Sequence, residues 1–169
     1  MRLQSRKIAI FVANLYEDLE FWYPYLRMKE EGAEVVIIGP QFDTFTSRYG
    51  IPVTTDKSIV LVAAEEFDAL IIPGGYSSFH MRRKPEMVEF VKKMNDQEKI
   101  IAAICHAGWV LASANIINGK KITSSYPIKY ELINVGAQWS DEEVVQDGNL
   151  ITSRNDLPKF CQKLIEALS

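Results

Sequence analysis

The sequence predicts a single α/β domain: a mostly parallel, doubly wound sheet with helices packed on both faces. Three observations carry this reading. Four short runs rich in β-branched residues, KIAIFVA (7–13), EVVIIG (34–39), ALIIPGG (69–75) and KIIAAIC (99–105), are too continuously apolar to alternate, which suits strands buried on both faces. Segments with helical spacing lie between them, and strand–helix alternation is the rhythm of parallel βαβ units. A chain of 169 residues fills one core but not two ordinary domains, so residues 1–169 are read as one domain.

Taken in order, the N-terminal MRLQSRKIAIFVANLYEDLE has basic residues and an apolar run, but the run is short and ends in acids without a small-residue cleavage site. It reads as a first strand rather than a signal peptide. Leu19, Trp22, Tyr23, Leu26 and Met28 form a helical stripe before Gly32. The stretch TSRYGIPVTTDKSIV (46–60) breaks the alternation, and its Gly50, Pro52 and alternating Val53 and Thr55 suggest a small hairpin, either a lid or a subunit contact. Met87, Val88, Val91 and Met94 mark a helix opened by Pro85. Asp147-Gly148 is a turn signal between two strand-like runs in EVVQDGNLITS (143–153). A last helix near 157–168 puts Phe160, Leu164, Ile165 and Leu168 on one face.

Composition excludes several classes. With 22 acidic and 19 basic residues the formal net charge is -3 and the signs are mixed, so neither nucleic acid nor an anionic membrane surface is an expected partner. No apolar stretch approaches membrane-spanning length. Two cysteines, Cys105 and Cys161, are too few for a disulfide scaffold and fit a reducing, cytoplasmic setting. Two histidines and two cysteines show no metal-ligand spacing, and no metal or cofactor is expected.

The chemistry concentrates in AAICHAGWVLASA (102–114), where Cys105 and His106 stand between an apolar run and a helical pattern containing Val110, Leu111 and Ala114. Ligands of open α/β sheets collect outside the carboxyl ends of the strands. A cysteine at that junction, beside a helix N-terminus, is expected to be acidified. A sharp strand-to-helix elbow needs small residues two positions either side of the nucleophile, and here these are Ala103 and Ala107. Read locally, Cys105 is either such a nucleophile or a small buried hydrophobe, and the string alone does not choose.

Two other strand ends bear on that choice. After the first strand, Glu17, Asp18 and Glu20 begin a helix where acids are favourable anyway. Glu20 differs in being flanked by Leu19, Phe21 and Trp22; a carboxyl in apolar surroundings stays protonated and can donate to a nearby thiolate. After the third strand, Gly74 and Gly75 are a turn signal or, beside a nucleophile, a source of backbone N–H groups for a developing oxyanion, with the N–H of His106 as a second donor. The His106 ring is open between general base and bystander. His80 with the basic residues after it reads as a solvated loop, Cys161 as core, and Asp141, Glu142 and Glu143 as a solvated face. Ser124, Ser125 and Tyr126 read most simply as a turn before a helix.

The sequence resembles the PfpI family of intracellular cysteine peptidases and stress proteins, within the class I glutamine amidotransferase-like superfamily. NLYEDLEFWYP, IIPGGY, AAICHAGWVLASA, TSSYPIK, INVGAQW, VVQDGNLITSR and DLPKF carry the resemblance from Lys7 to the last helix. It implies a flavodoxin-like fold, a nucleophile at Cys105 beside His106, an acid at Glu20 touching the thiol, and oxyanion donors around Gly74, Gly75 and His106. It also implies a homodimer or larger homo-oligomer. In the peptidases a neighbouring subunit supplies the acid that orients the histidine, from a loop of the form Gly-Gly-Arg-Ala-Pro-Glu; here the loop is GGYSSFH and the matching residue is Phe79. A phenyl ring cannot hold an imidazolium, so efficient proteolysis is not expected.

The expected function is a cysteine-dependent hydrolase or stress protein acting on small carbonyl or acyl groups, of the deglycase, glyoxalase or weak peptidase kind, with a small molecule or peptide as substrate. The alternative is a non-catalytic redox-sensing or chaperone-like stress protein with an oxidisable Cys105. An amidotransferase is disfavoured, since no histidine lies beyond His106 to complete its triad.

Overall fold

The computed structural model describes all residues from Met1 to Ser169. Eleven strands and six helices follow one another along the chain. The first half contains β1 (Lys7–Phe11), α1 (Asp18–Glu30), β2 (Glu34–Gly39), β3 (Thr44–Thr46), β4 (Pro52–Thr54), β5 (Lys57–Ser58), β6 (Ala69–Ile72), α2 (Ser77–Arg82) and α3 (Pro85–Asp96). The second contains β7 (Ile100–Ile104), α4 (Gly108–Ser113), β8 (Lys121–Ile122), α5 (Lys129–Asn134), β9 (Gln138–Trp139), β10 (Val144–Asp147), β11 (Leu150–Ser153) and α6 (Leu157–Leu168).

Seven strands form the central sheet in the order β10-β11-β7-β6-β1-β2-β5. Every neighbouring pair is parallel except β10–β11, which is joined by the Asp147-Gly148 turn with Gly148 at φ 58°. This is the doubly wound, mostly parallel sandwich that the apolar runs predict. Along β1, Ala9 and Phe11 enter one core while Ile8 and Ile10 enter the other, so a two-residue period is present with both faces apolar. Met87 and Val91 of α3 and Val110 and Leu111 of α4 cover the first face. Phe21 and Met28 of α1 and Phe160, Leu164 and Ile165 of α6 cover the second.

Two sequence expectations need correction. The inward face of α1 is Phe21, Pro24 and Met28, whereas Leu19, Tyr23 and Leu26 of the expected stripe are exposed. Apolar and charged side chains are both spread round the helix, so its period does not choose a face. GGYSSFH is not an open loop either: Ser77–Arg82 is helical, and the half-buried His80 packs edge-on against Tyr76 and Phe79.

The expected hairpin is present as β3 and β4, antiparallel, with Thr44 opposite Thr54. Its tip is tied to the start of α1. The Ser47 hydroxyl donates to Asp18 Oδ1 at 2.5 Å and accepts the N–H groups of Tyr49 and Ile51 at 3.2 and 2.9 Å. Tyr16 Oη donates to the Ile51 carbonyl at 2.8 Å, and the Arg48 N–H donates to that of Tyr16 at 2.9 Å. These bonds make the tip a fixed wall.

Candidate active site

Three adjacent strands, β1, β6 and β7, end beside one another, and their ends supply the site. Cys105 follows β7 at φ 60°, in the left-handed region that L-residues seldom occupy. The chain then passes through a 3-10 turn (Cys105–Ala107) into α4. This is the strained elbow that the flanking alanines permit, and it turns the thiol toward a cavity of about 370 Å³ also reached by Glu17, Glu20, Arg48 and His106.

Glu20 lies in the first turn of α1 and is 8% exposed. Its Oε1 accepts the Gly74 N–H at 2.9 Å, and its carboxyl lines the same cavity as the Cys105 thiol. Burial pushes the carboxyl up to about 8, and the charge of Glu17 adds to the rise. The expectation of a protonated Glu20 against the thiol therefore agrees with this geometry.

The expectation of an acidified thiol does not. Burial first, and the Glu20 charge second, push Cys105 up to about 12. The helix expected to lower it has only six residues and begins three residues beyond the sulfur. Acting the other way are hydrogen bonds from the Ser125 side chain and the His106 N–H. Protonating Glu20 removes the second of the three causes that raise the thiol, so the titrations of the two groups are linked.

Gly74 and Gly75 have separate reasons to be glycine. A Cβ at Gly74 would come within 2.8 Å of the Ile104 carbonyl and 3.0 Å of Cys105 Cβ. Gly75 has φ 79°, and a Cβ there would meet the Glu17 nitrogen at 2.6 Å. As an oxyanion donor Gly74 is corrected: its N–H already donates to Glu20. The N–H groups of Gly75 and His106 remain the candidates.

His106 Nδ1 lies 3.4 Å from Cys105 Sγ and 2.9 Å from Ser125 Oγ. Burial lowers the pKa of the ring, which favours its neutral form. Trp109 packs edge-on against it at 5.2 Å between centroids. Phe79 stacks on Tyr76 at 4.9 Å, with the Arg83 guanidinium over its ring at 5.4 Å. Cys161 is buried in α6, away from the site.

Two groups are not legible as site residues in the sequence. Ser125 reads only as part of a turn before a helix. Arg48 reaches the cavity from the hairpin tip and pairs with Glu17 at 3.3 Å. The break in the strand–helix rhythm is its only signal.

Comparison with known proteins now adds to the geometry. The DJ-1/PfpI family pattern matches residues 6–167. The chain belongs to the DJ-1/PfpI family. Deglycase PH1704 of Pyrococcus horikoshii is 43% identical over 164 residues, 96% of this chain and 99% of that protein. Protein/nucleic acid deglycase 2 of Escherichia coli is 39% identical over 169 residues, 97% of this chain and 98% of that one. Among solved structures, a two-domain Anabaena variabilis protein with DJ-1/ThiJ/PfpI-like and ferritin-like domains superposes with a TM-score of 0.95 at 37% identity; the match covers 97% of this chain and 48% of that one. DJ-1beta of Drosophila melanogaster gives 0.92 at 29% identity, over 98% and 91%. No helix of the DJ-1/PfpI chain is long and apolar enough to cross a membrane.

Proposed function

We propose that this protein is a cytoplasmic, cysteine-dependent hydrolase that removes small carbonyl or acyl adducts, a deglycase-like stress enzyme with Cys105 as nucleophile and Glu20 as its proton partner. The observation that carries the reading is that the buried Glu20 carboxyl and the Cys105 thiol line one cavity at adjoining strand ends. The deglycase names of relatives at 38–43% identity support the same class.

The pair is reactive once it holds one proton, as Glu20 carboxylic acid beside Cys105 thiolate. The sulfur lone pair forms the S–C bond to the carbonyl carbon, and the C=O π pair moves to oxygen. The Glu20 proton passes to that oxygen, leaving carboxylate and a hemithioacetal or tetrahedral adduct. The N–H groups of Gly75 and His106 are the proposed donors to the oxyanion. For an acyl adduct, the adduct oxygen returns its proton through Glu20 to the departing amine or thiol as that bond to carbon breaks, leaving a Cys105 thioester and the Glu20 carboxylate. Water then adds to the thioester carbonyl, giving one proton to Glu20, and collapse releases the carboxylic acid and the Cys105 thiolate. Phe79 in place of the peptidase acid argues against efficient peptide hydrolysis. Exposed Leu19, Tyr23 and Leu26 on α1 favour a homodimer or larger homo-oligomer.

Turnover of methylglyoxal, its cysteine and lysine adducts and model peptides by wild type and Cys105→Ala tests the reading. Loss of all adduct turnover in C105A supports it; retained turnover removes Cys105 from the mechanism. The second reading, a redox sensor, draws on the partial exposure of Cys105. Selective oxidation of Cys105 by mild peroxide in a protein that turns over none of these substrates favours the sensor.

A further inference from the structure

Ser125 is more firmly held than a turn residue needs to be. Its N–H donates to the Cys105 carbonyl at 3.3 Å, joining the segment before α5 to the elbow. The preceding Ser124 Oγ donates to the Ser125 carbonyl at 2.9 Å and accepts the Trp139 indole N–H at 3.0 Å. One residue earlier, the Thr123 N–H donates to Thr152 Oγ1 at 2.9 Å, so β11 anchors the segment as well. The hydroxyl thus delivered is 2.9 Å from His106 Nδ1, which itself lies 3.4 Å from the Cys105 sulfur.

We propose that Ser125 is a positioning residue of this site: its hydroxyl holds the Nδ1 edge of the His106 ring beside the sulfur, and ties ring and sulfur into one hydrogen-bonded unit. The proposal rests on Cys105 being the reactive group. A nitrogen of a neutral imidazole either donates or accepts. With the proton on Nδ1, the ring donates to Ser125 Oγ and the Ser125 O–H is free to donate to the sulfur, which satisfies all three atoms. With the proton on Nε2, Nδ1 takes the hydroxyl proton and the sulfur loses this donor. A hydroxyl, unlike a carboxylate, does not stabilise an imidazolium, so the ring stays neutral and the mobile proton stays between Cys105 and Glu20. Phe79, packed against Tyr76, supplies no charge that would reverse this. The charged or titratable groups that line the cavity with the sulfur are Glu20 and Glu17 at the start of α1, Arg48 from the hairpin tip, Tyr76 before α2 and the His106 ring.

Two readouts independent of turnover test the proposal. The first is the pH profile of Cys105 alkylation by iodoacetamide, followed by mass spectrometry in wild type, Ser125→Ala and Ser125→Thr. The profile of S125A is expected to move to higher pH, with alkylation near neutrality slowed about tenfold, as for loss of a hydrogen bond to a charged group. S125T, which keeps the hydroxyl, is expected to restore it. An S125A profile that coincides with wild type, in a protein of unchanged melting temperature, overturns the proposal. The second is the nitrogen NMR signature of the wild-type ring, readily assigned in a chain with two histidines. An Nδ1–H tautomer for His106 is expected; an Nε2–H tautomer overturns the proposal even if the alanine variant fails to fold. A wild type that alkylates as expected yet turns over no carbonyl adduct contradicts the hydrolase assignment and leaves Ser125 in its role.

Discussion

Glu20 and Gly74, 54 residues apart in sequence, are joined by a hydrogen bond of 2.9 Å from the Gly74 N–H to Glu20 Oε1. That bond aims the carboxyl at the sulfur of Cys105 and explains why the residue after Pro73 has no side chain. The bond lowers the pKa of the carboxyl, but burial outweighs it and the net direction is upward. A carboxyl buried at this place is therefore a liability to folding at alkaline pH.

Glu20→Gln should reveal that liability. The folded-state pKa of about 8 lies above the ordinary 4.5, so between these values the folded state binds the proton more tightly. Wild-type stability contributed by Glu20 is then complete below about pH 4.5 and falls as pH rises through about 8. Gln keeps an acceptor for the Gly74 N–H and cannot ionise. Urea unfolding at a series of pH values should find E20Q a few kcal/mol more stable than wild type above pH 8, with adduct turnover reduced on the order of 100-fold or more.

Gly74→Ala should damage fold and site together. Its Cβ meets backbone at the Ile104 carbonyl and Cys105 Cβ, neither of which is the free end of a flexible side chain. A loss of about 1–3 kcal/mol is expected in urea unfolding, as for overpacking. A loss below about 0.5 kcal/mol, the range of neutral surface substitutions, would show that the β6 end yields more easily than its packing implies.

Peroxide should distinguish the two cysteines by access. Cys105 opens onto the cavity, while Cys161 is 1% exposed and its thiol is pushed up to about 12 by burial. Peptide mapping after mild oxidation should place sulfinic acid on Cys105 and leave Cys161 reduced in the folded protein. Equal oxidation of both would mean that α6 opens on the timescale of the reaction.

Ser47→Ala should loosen the hairpin tip. It deprives the buried Asp18 carboxylate of its hydroxyl donor and leaves the Tyr49 and Ile51 N–H groups without their acceptor. The expected cost is about 3 kcal/mol by thermal or urea unfolding, since a charged partner is orphaned. Limited proteolysis should cut first between residues 47 and 51.

How much of the molecule is legible in its sequence depends on whether local pattern or packing decides each feature. The β1, β2, β6 and β7 runs and the Phe160–Leu168 face are legible because burial on both faces, or on one helical stripe, writes itself into consecutive residues. Cys105 is legible because a reactive side chain with alanine two positions to either side, at a change of period, matches the steric demand of a strand-to-helix elbow. Glu20 stands out as an acid set among apolar neighbours. The face of α1 is not legible, because Leu19, Tyr23 and Leu26 are as apolar as the buried Phe21 and Met28. Nor is the thiol's elevated pKa, which arises from burial and from a carboxylate 85 positions away. Ser125 and Arg48 come from segments whose own sequence says only turn and hairpin.

The order β7-β6-β1 also bears on how the protein comes to life. Its thiol meets its carboxyl and its glycine pair only after two long crossovers have closed, since the contributing residues are numbered 20, 74 and 105. A nascent or half-assembled chain carries a cysteine with no such neighbours, and only completion of the sheet creates the thiol–acid couple.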